Sequence, residues 1–525
     1  MKKPVKIGLW LLGLAVLGLL GLWLEHERAK ARLAAFKADL IAKGEKLAIA
    51  DHVPKLPPAL SNAAPDFIAA ANRLTELKPE WQPGRMRMVA PGKARVTWRQ
   101  AELPSEKEPD IWPFVIAHVE DNRPLLAEMA AALERPEMVF NLDYTKGFNL
   151  QIPHLIKHKT AVSVLTTATL VDLRAEKPAA ALTNLLAAVR LARLNEEPLL
   201  ISQLVRNACG QIAVQTTWEA LQFPGWQDRQ LLALQTEWQA WDTQRGWLAS
   251  ANMERAYGSD IFAQCRSNPT LLSTLDWSGS GSGASGKSFF AELWDDPEIA
   301  ARRALQFAVT VGWTLWFSYD DERWALQQHQ IWLDGARQAL KADAFAPANN
   351  RTVAASKPFE APPMTMLVSR MVLPALSRTH QKFASFETAR RLTFTAVALH
   401  RHRLKHGRFP ASLGALVPEF LAEVPRDFMD GQPLRYRLEP DGQFRLWSVG
   451  EDFKDDGGDA TEAHQKAGSV PVFWLRGRDW VWPQPANEAE VAAYHAELEA
   501  KRVKAAPLPF APGAPVAPGT PVPPP

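Results

Sequence analysis

Apolar positions recur at three- and four-residue spacing along most of the chain, the signature of helices with one buried face. That spacing predicts helices over residues 65–79, 124–133, 160–195, 199–223, 228–256, 300–340 and 363–406. Trp313, Trp316, Trp324 and Trp332 fall on one such stripe and are expected in a core. A different pattern precedes them. Ile7 to Leu24 reads IGLWLLGLAVLGLLGLWL, with no charged or polar side chain. Eighteen helical residues rise about 27 Å, close to the hydrocarbon thickness of a bilayer. Trp10 and Trp23 stand near its two ends, where indoles favour the interface. The run is longer than the core of a secretory signal, and Ala29-Lys30-Ala31 lies within a charged stretch. The pattern therefore predicts an uncleaved single span, continuing from Glu25 to Ala50 as a charged amphipathic helix.

Beyond Pro410 the period shortens to two. Strands are predicted at Leu434–Leu438, Phe444–Val449 and Val472–Leu475, with turn dipeptides Asp430-Gly431 and Asp441-Gly442 flanking them. A charged helix follows near Ala486 to Lys504. The final residues, 506–525, hold nine prolines and are expected to be extended. Ser278–Ser288 is a Gly/Ser stretch, and 345–363 reads as a polar linker. The predicted order is a cytoplasmic tail (1–6), a transmembrane helix (7–24) and a mainly helical domain (25–344). Then come the linker (345–363), a small α+β domain with its leading helix (364–483), the charged helix (484–505) and the Pro-rich tail (506–525). The fold class is mainly α, with a short antiparallel sheet near the C-terminal end.

Composition narrows the function classes. Hydrophobic residues make up 47% and charged residues 22% of the 525, which excludes a fully disordered chain and a multi-span membrane protein. Sixty Lys and Arg against 57 Asp and Glu leave +3. That surplus does not build the field a nucleic-acid binder needs. Only Cys209 and Cys265 occur, so either one bridge or two buried thiols are expected.

Some short motifs carry chemistry. Gly281 to Ser288 matches G-x-x-x-x-G-K-[ST], in which backbone N–H groups, Lys287 and Ser288 would hold phosphates and magnesium. The loop requires a buried strand before it, and residues 271–278 do not read as one. It is expected to be a linker, with a nucleotide-dependent or other hydrolase as the alternative. His154/His158 and His402/His406 have H-x-x-x-H spacing, which places two imidazoles on one helical face. Neither pair has the metalloprotease glutamate or an evident third ligand. Asp320, Asp321 and Glu322 read as a solvated helix face. No C-x-x-C and no G-x-S-x-G elbow occurs, so no catalytic set is assigned.

Residues 398–459 are the most informative. A helix ends at His406-Gly407-Arg408-Phe409-Pro410, followed by Leu413 and Leu416-Val417-Pro418. Then come Val424-Pro425-Arg426-Asp427, Gly431…Leu434-Arg435-Tyr436, and Ser448-Val449-Gly450-Glu451-Asp452…Gly457-Gly458. This order resembles the globular domain of type II secretion major pseudopilins. The resemblance implies a helix-plus-sheet fold and an acidic loop that binds calcium. It makes Asp452 the best-matched ligand, with Asp455, Asp456 and Asp459 as candidates, and hard oxygen donors suit that ion. Phe453 replaces the family's glycine, so a solvated acidic turn stays open beside a calcium site. Ile7–Leu24 lacks the pseudopilin glutamate, and many helices intervene before the matching region. The whole chain is similar to bacterial membrane-anchored proteins carrying this domain at their ends. The expected protein is therefore bitopic in a bacterial inner membrane, with its bulk periplasmic. It would bind envelope or secretion partners rather than catalyse, with no cofactor beyond calcium.

Overall fold

A computed structural model describes residues 3–105, 107–268, 271–272, 305, 308–360, 363–372, 379–461, 475 and 477–505. Helix α1 (Lys3–Ala42) is continuous. Its C-terminal half buries Ala29, Leu33 and Leu40, an i, i+4, i+11 stripe facing the body. Its first half exposes its described apolar side chains. Among the described residues no helix is long and apolar enough to cross a membrane. The side chains of residues 7–9, 11, 15 and 19, inside the expected Ile7–Leu24 span, lie outside those described.

The body is helical. Short α2 (Ala64–Ala71) leads to α3 (Trp112–Ala132), α4 (His154–Arg174), α5 (Pro178–Leu194), α6 (Leu200–Leu221), α7 (Asp228–Gln239) and α8 (Thr243–Ser267). The run expected as one helix over 160–195 breaks at Pro178, the N1 residue of α5, because proline cannot continue α4's hydrogen bonds. Proline misleads in the other direction at 124. Helix α3 begins twelve residues earlier, at Trp112, and carries Pro124 in its interior. A π-turn at Trp313–Phe317 enters α9 (Ser318–Ala342), followed by α10 (Phe345–Ser356), α11 (Leu367–Val372) and α12 (Thr379–His406).

Helix α10 replaces the expected linker: Phe345 and Ala348 are buried, and its start is tied to the C-terminal region by Phe345 N–H to the Phe428 carbonyl. One hydrophobic core also runs from Ala63 to Trp482, so the two expected units share their interior. Helix α12 ends where the sequence indicated, at Gly407 with φ +72°. Strands β3 (Arg435–Leu438), β4 (Phe444–Ser448) and β5 (Trp480–Val481) form an antiparallel sheet in that order. The expected strand at Val472–Leu475 lies mostly outside the described residues, and the third place in the sheet belongs to Trp480–Val481. A second small sheet pairs β1 (Arg87–Ala90) with β2 (Lys93–Arg95). It then adds β6 (Gln484–Pro485) in parallel, from the far end of the chain. Helix α13 (Glu488–Ala505) follows.

Candidate functional site

The acidic triplet after the π-turn is not a solvated face. Asp321 and Glu322 are both buried. Asp321 accepts hydrogen bonds from Trp313 Nε1 at 2.7 Å, Val368 N at 3.0 Å and Ser369 Oγ at 2.5 Å. It thereby fastens α11 to α9, and burial raises its pKa to about 6. Glu322 pairs with Lys37 of α1 and with Arg266 of α8 at 2.5 Å, and accepts Ser259 Oγ at 2.7 Å. Glu45, just past α1, similarly holds Arg337 at 2.5 Å and Arg255 at 2.8 Å. These buried ions bind the N-terminal helix to the body.

A small cavity lined by titratable groups lies between α8, α9 and the start of α12. Trp247, Ser250 and Glu254 line it from one face of α8, His329 and Trp332 from α9, and His380 from α12. The His380 ring packs edge-on to Trp247 at 5.1 Å. Burial raises the Glu254 carboxyl to about 7, while the backbone N–H of Leu200, in the first turn of α6, partly offsets it. Burial lowers both imidazoles to about 4. His329 Nδ1 donates to the Ala325 carbonyl at 2.9 Å, which leaves Nε2 an acceptor with no partner among the described residues. Near neutral pH the cavity thus pairs a carboxyl in mid-titration with neutral acceptors. Its volume of about 20 Å³ holds one water and no organic substrate.

A raised carboxyl pKa means the fold prefers the protonated acid. Its contribution is full below pH 4.5 and is lost as pH rises through 7. Glu254→Gln, which cannot ionise, is therefore expected to raise the urea midpoint more at pH 8 than at pH 5. An equal midpoint shift at both pH values would refute the assignment.

A second concavity, an open cleft of about 670 Å³, is lined by Trp98, Arg99, Arg174, Glu176, Phe223, Pro224 and Gly225. Its arginines are held by the protein. Arg174 donates to the Gln100 and Ala101 carbonyls at 2.5 and 2.9 Å, and Arg99 to the Gln222 carbonyl. They lie beside half-buried Trp98 and Phe223, with Arg99 stacked over the Trp98 ring at 5.1 Å and Arg174 over the Trp112 ring at 4.7 Å.

The expected calcium residues do not converge. Asp452 accepts from the Lys454 N–H at 3.0 Å. Asp455 accepts from Trp447 Nε1 and the Gly457 N–H, both at 3.0 Å. Asp459 accepts from Thr461, through N–H at 2.9 Å and Oγ1 at 2.7 Å. Among the described residues no group of three or more His, Cys, Asp and Glu is placed to hold a metal ion. The loop is organised instead by buried Asp479, which receives the backbone N–H groups of Asp456, Gly458 and Asp459 at 3.3, 2.7 and 3.2 Å. Asp427 organises the chain in the same way, one layer further in. It accepts from Met429 N and Val449 N at 2.9 Å and from Ser448 Oγ at 2.8 Å, with Arg435 at 3.2 Å. Neither role is visible in sequence, because each aspartate draws on backbone amides brought close only by the fold.

The histidine pairs are structural among the described residues. His154 stacks on Phe140 at 4.2 Å and places Nε2 2.7 Å from buried Glu197. His402 Nδ1 meets the Arg408 carbonyl at 3.0 Å. Cys209 and Cys265 are free, buried and in separate core clusters, their thiols pushed up to about 12 and 11. The Gly281–Ser288 loop lies outside the described residues. In comparison with known proteins, no family model, no curated sequence and no solved structure matches the chain.

Proposed function

We propose that the chain is a membrane-anchored envelope protein whose folded body binds other proteins. One observation carries this reading. The first half of α1 exposes its described apolar side chains, with Trp10 76% and Leu17 66% exposed and Val16, Leu20, Leu22 and Trp23 exposed beside them. Apolar side chains on all sides of a helix are stable in hydrocarbon and costly in water, at about 25 cal/mol per Å². The same helix turns amphipathic where it meets the body. The side chains at 7–9, 11, 15 and 19 complete the uncharged run in sequence. In this reading the span crosses a bacterial inner membrane and the body stands in the periplasm.

The binding half of the proposal rests on the aromatic and guanidinium cleft around Trp98 and Phe223. It also rests on the pseudopilin-like order of helix, turn and antiparallel strands after Ala398. In that reading the C-terminal region is an interaction module, and the acidic loop holds its shape through Asp479.

The test is extraction. The full chain should stay with bacterial membranes in alkaline carbonate and be released by detergent. The chain lacking residues 2–24 should appear in the soluble fraction. Release of the full chain by carbonate would refute the anchor. Loss of partner capture in Trp98→Ala with extraction unchanged would assign binding to the cleft.

A further inference from the structure

The fold brings a second uncharged run to the place where α1 leaves the body. From Ala304 to Tyr319 the sequence reads ALQFAVTVGWTLWFSY, with Arg302 and Arg303 before it and Asp320 and Asp321 after. Its described portion runs in the same direction as α1. The ring of Tyr319 meets His26 at 5.1 Å, Asp320 pairs with Arg32 at 2.8 Å, Glu322 with Lys37, and Arg337 with Glu45. Positions rise together on both helices. The residues just before Tyr319 therefore lie beside the stretch of α1 just before His26, which is its exposed apolar half. The π-turn at Trp313–Phe317 touches α1 directly.

The two faces of this segment differ. Inward, Trp313 is buried and donates to Asp321, and Val309 packs on the small cluster around Phe262 and Cys265. Outward, Leu305 is 66%, Leu315 48% and Phe317 39% exposed. At about 1.5 Å per residue, Ala308 lies about 16 Å from Tyr319, a depth that reaches below a bilayer surface. No Asp, Glu, Lys or Arg falls within the run.

We propose that Leu305 and residues 308–317 contact the membrane as a second element, immersed among acyl chains beside α1. The body would then be seated on the bilayer along two adjacent helices rather than hung from one. This rests on the anchor reading of α1, and the occupant is lipid because the exposed face continues that of α1. Immersed aromatic and aliphatic side chains on one helical face are what interfacial helices present to acyl chains.

The experiment uses the full chain in phosphatidylcholine–phosphatidylglycerol vesicles containing doxyl-stearoyl phosphatidylcholine. Single cysteines at Leu315, Leu305, Leu17 and Leu232 carry an environment-sensitive nitrobenzoxadiazole label; native Cys209 and Cys265 are buried and do not compete. Leu315→Cys and Leu305→Cys should lose as much fluorescence to the doxyl lipid as Leu17→Cys, while Leu232→Cys on α7 loses none. If Leu17→Cys is quenched and the two test sites behave like Leu232→Cys, this inference is overturned and the anchor stands. If Leu17→Cys is also unquenched, the anchor reading falls with it.

Discussion

Glu322→Ala should lower the unfolding free energy by about 3–5 kcal/mol, because it strips the counter-charge from two cations at a buried position. The carboxylate is fully buried between Lys37 of α1 and Arg266 of α8, with Ser259 donating a further hydrogen bond. Removing it leaves Arg266, among the described residues, with the Ser318 carbonyl at 3.4 Å and the ring of Tyr319 at 4.6 Å. The control is Glu25→Ala. That carboxylate also bonds an arginine at 2.8 Å, but both groups are more than a third exposed, so its loss should cost under about 1 kcal/mol. Urea unfolding in detergent measures both. Equal small losses would show that the buried pair contributes no more than the surface one. Because Lys37 belongs to α1, the Glu322 variant should also loosen that helix, read as faster amide exchange over residues 29–42.

Acid should unfold the protein in a defined window. His158, His329 and His400 are buried, and burial lowers them to about 4, 4 and 3. Each contributes stability that is full above pH 6.5 and is lost as pH falls through its folded value, at about 1.4 kcal/mol per pKa unit. Glu45, beside Arg337 and Arg255, is lowered to about 2. Glu387, buried but facing Arg390 and Arg391, is also lowered to about 2. Their contributions are full above pH 4.5 and vanish toward pH 2. Other carboxyls act oppositely, Asp427 and Asp479 among them, since burial raises them. Glu219 and Glu254 are raised to about 7 and Asp321 to about 6, so their protonation favours the fold as pH falls from 7. That gain offsets much of the histidine loss down to pH 4.5, below which the unfolded carboxyls protonate too. Stability should therefore change little between pH 8 and 6 and collapse below about pH 4.5. His400→Gln, in the pocket between Phe409 and Phe444, should flatten the acid limb by the share of one histidine. An unchanged limb would remove His400 from the account.

Much of the helical body was legible because its stripes are long. Helices α6 and α7 begin within a residue or two of where the spacing puts them, and Gly407 stops α12 as its left-handed preference dictates. Local rules failed where tertiary contacts outweigh them. The polar stretch from Phe345 became helix α10, since Phe345 and Ala348 find a core that no neighbouring residue announces. Asp321 and Glu322 look solvated in sequence because their neighbours are polar. Their cationic and amide partners lie 47 to 285 residues away in sequence. The acidic loop showed its charges but not their fate: Asp455 accepts a tryptophan N–H, and the loop's own backbone N–H groups are gathered by Asp479. Sequence reasoning missed Glu254 for the same reason, since a single glutamate on a helix carries no mark of its burial.

The parallel pairing of β2 with β6 also sets a clock on biosynthesis. Lys93 and its partner Glu490 stand 397 residues apart. At about 5–20 residues per second, the hairpin must wait roughly 20–80 s before its neighbour strand exists. For that interval the β2 edge presents open N–H and C=O groups, as any unpaired edge does. Trp218 likewise waits for the Pro483 carbonyl that its indole N–H will meet at 2.7 Å. An early-made half with such an unfinished seam is the state on which a holding chaperone would act, and shortening the wait by slowing nothing else would be felt first as less aggregation of nascent chains.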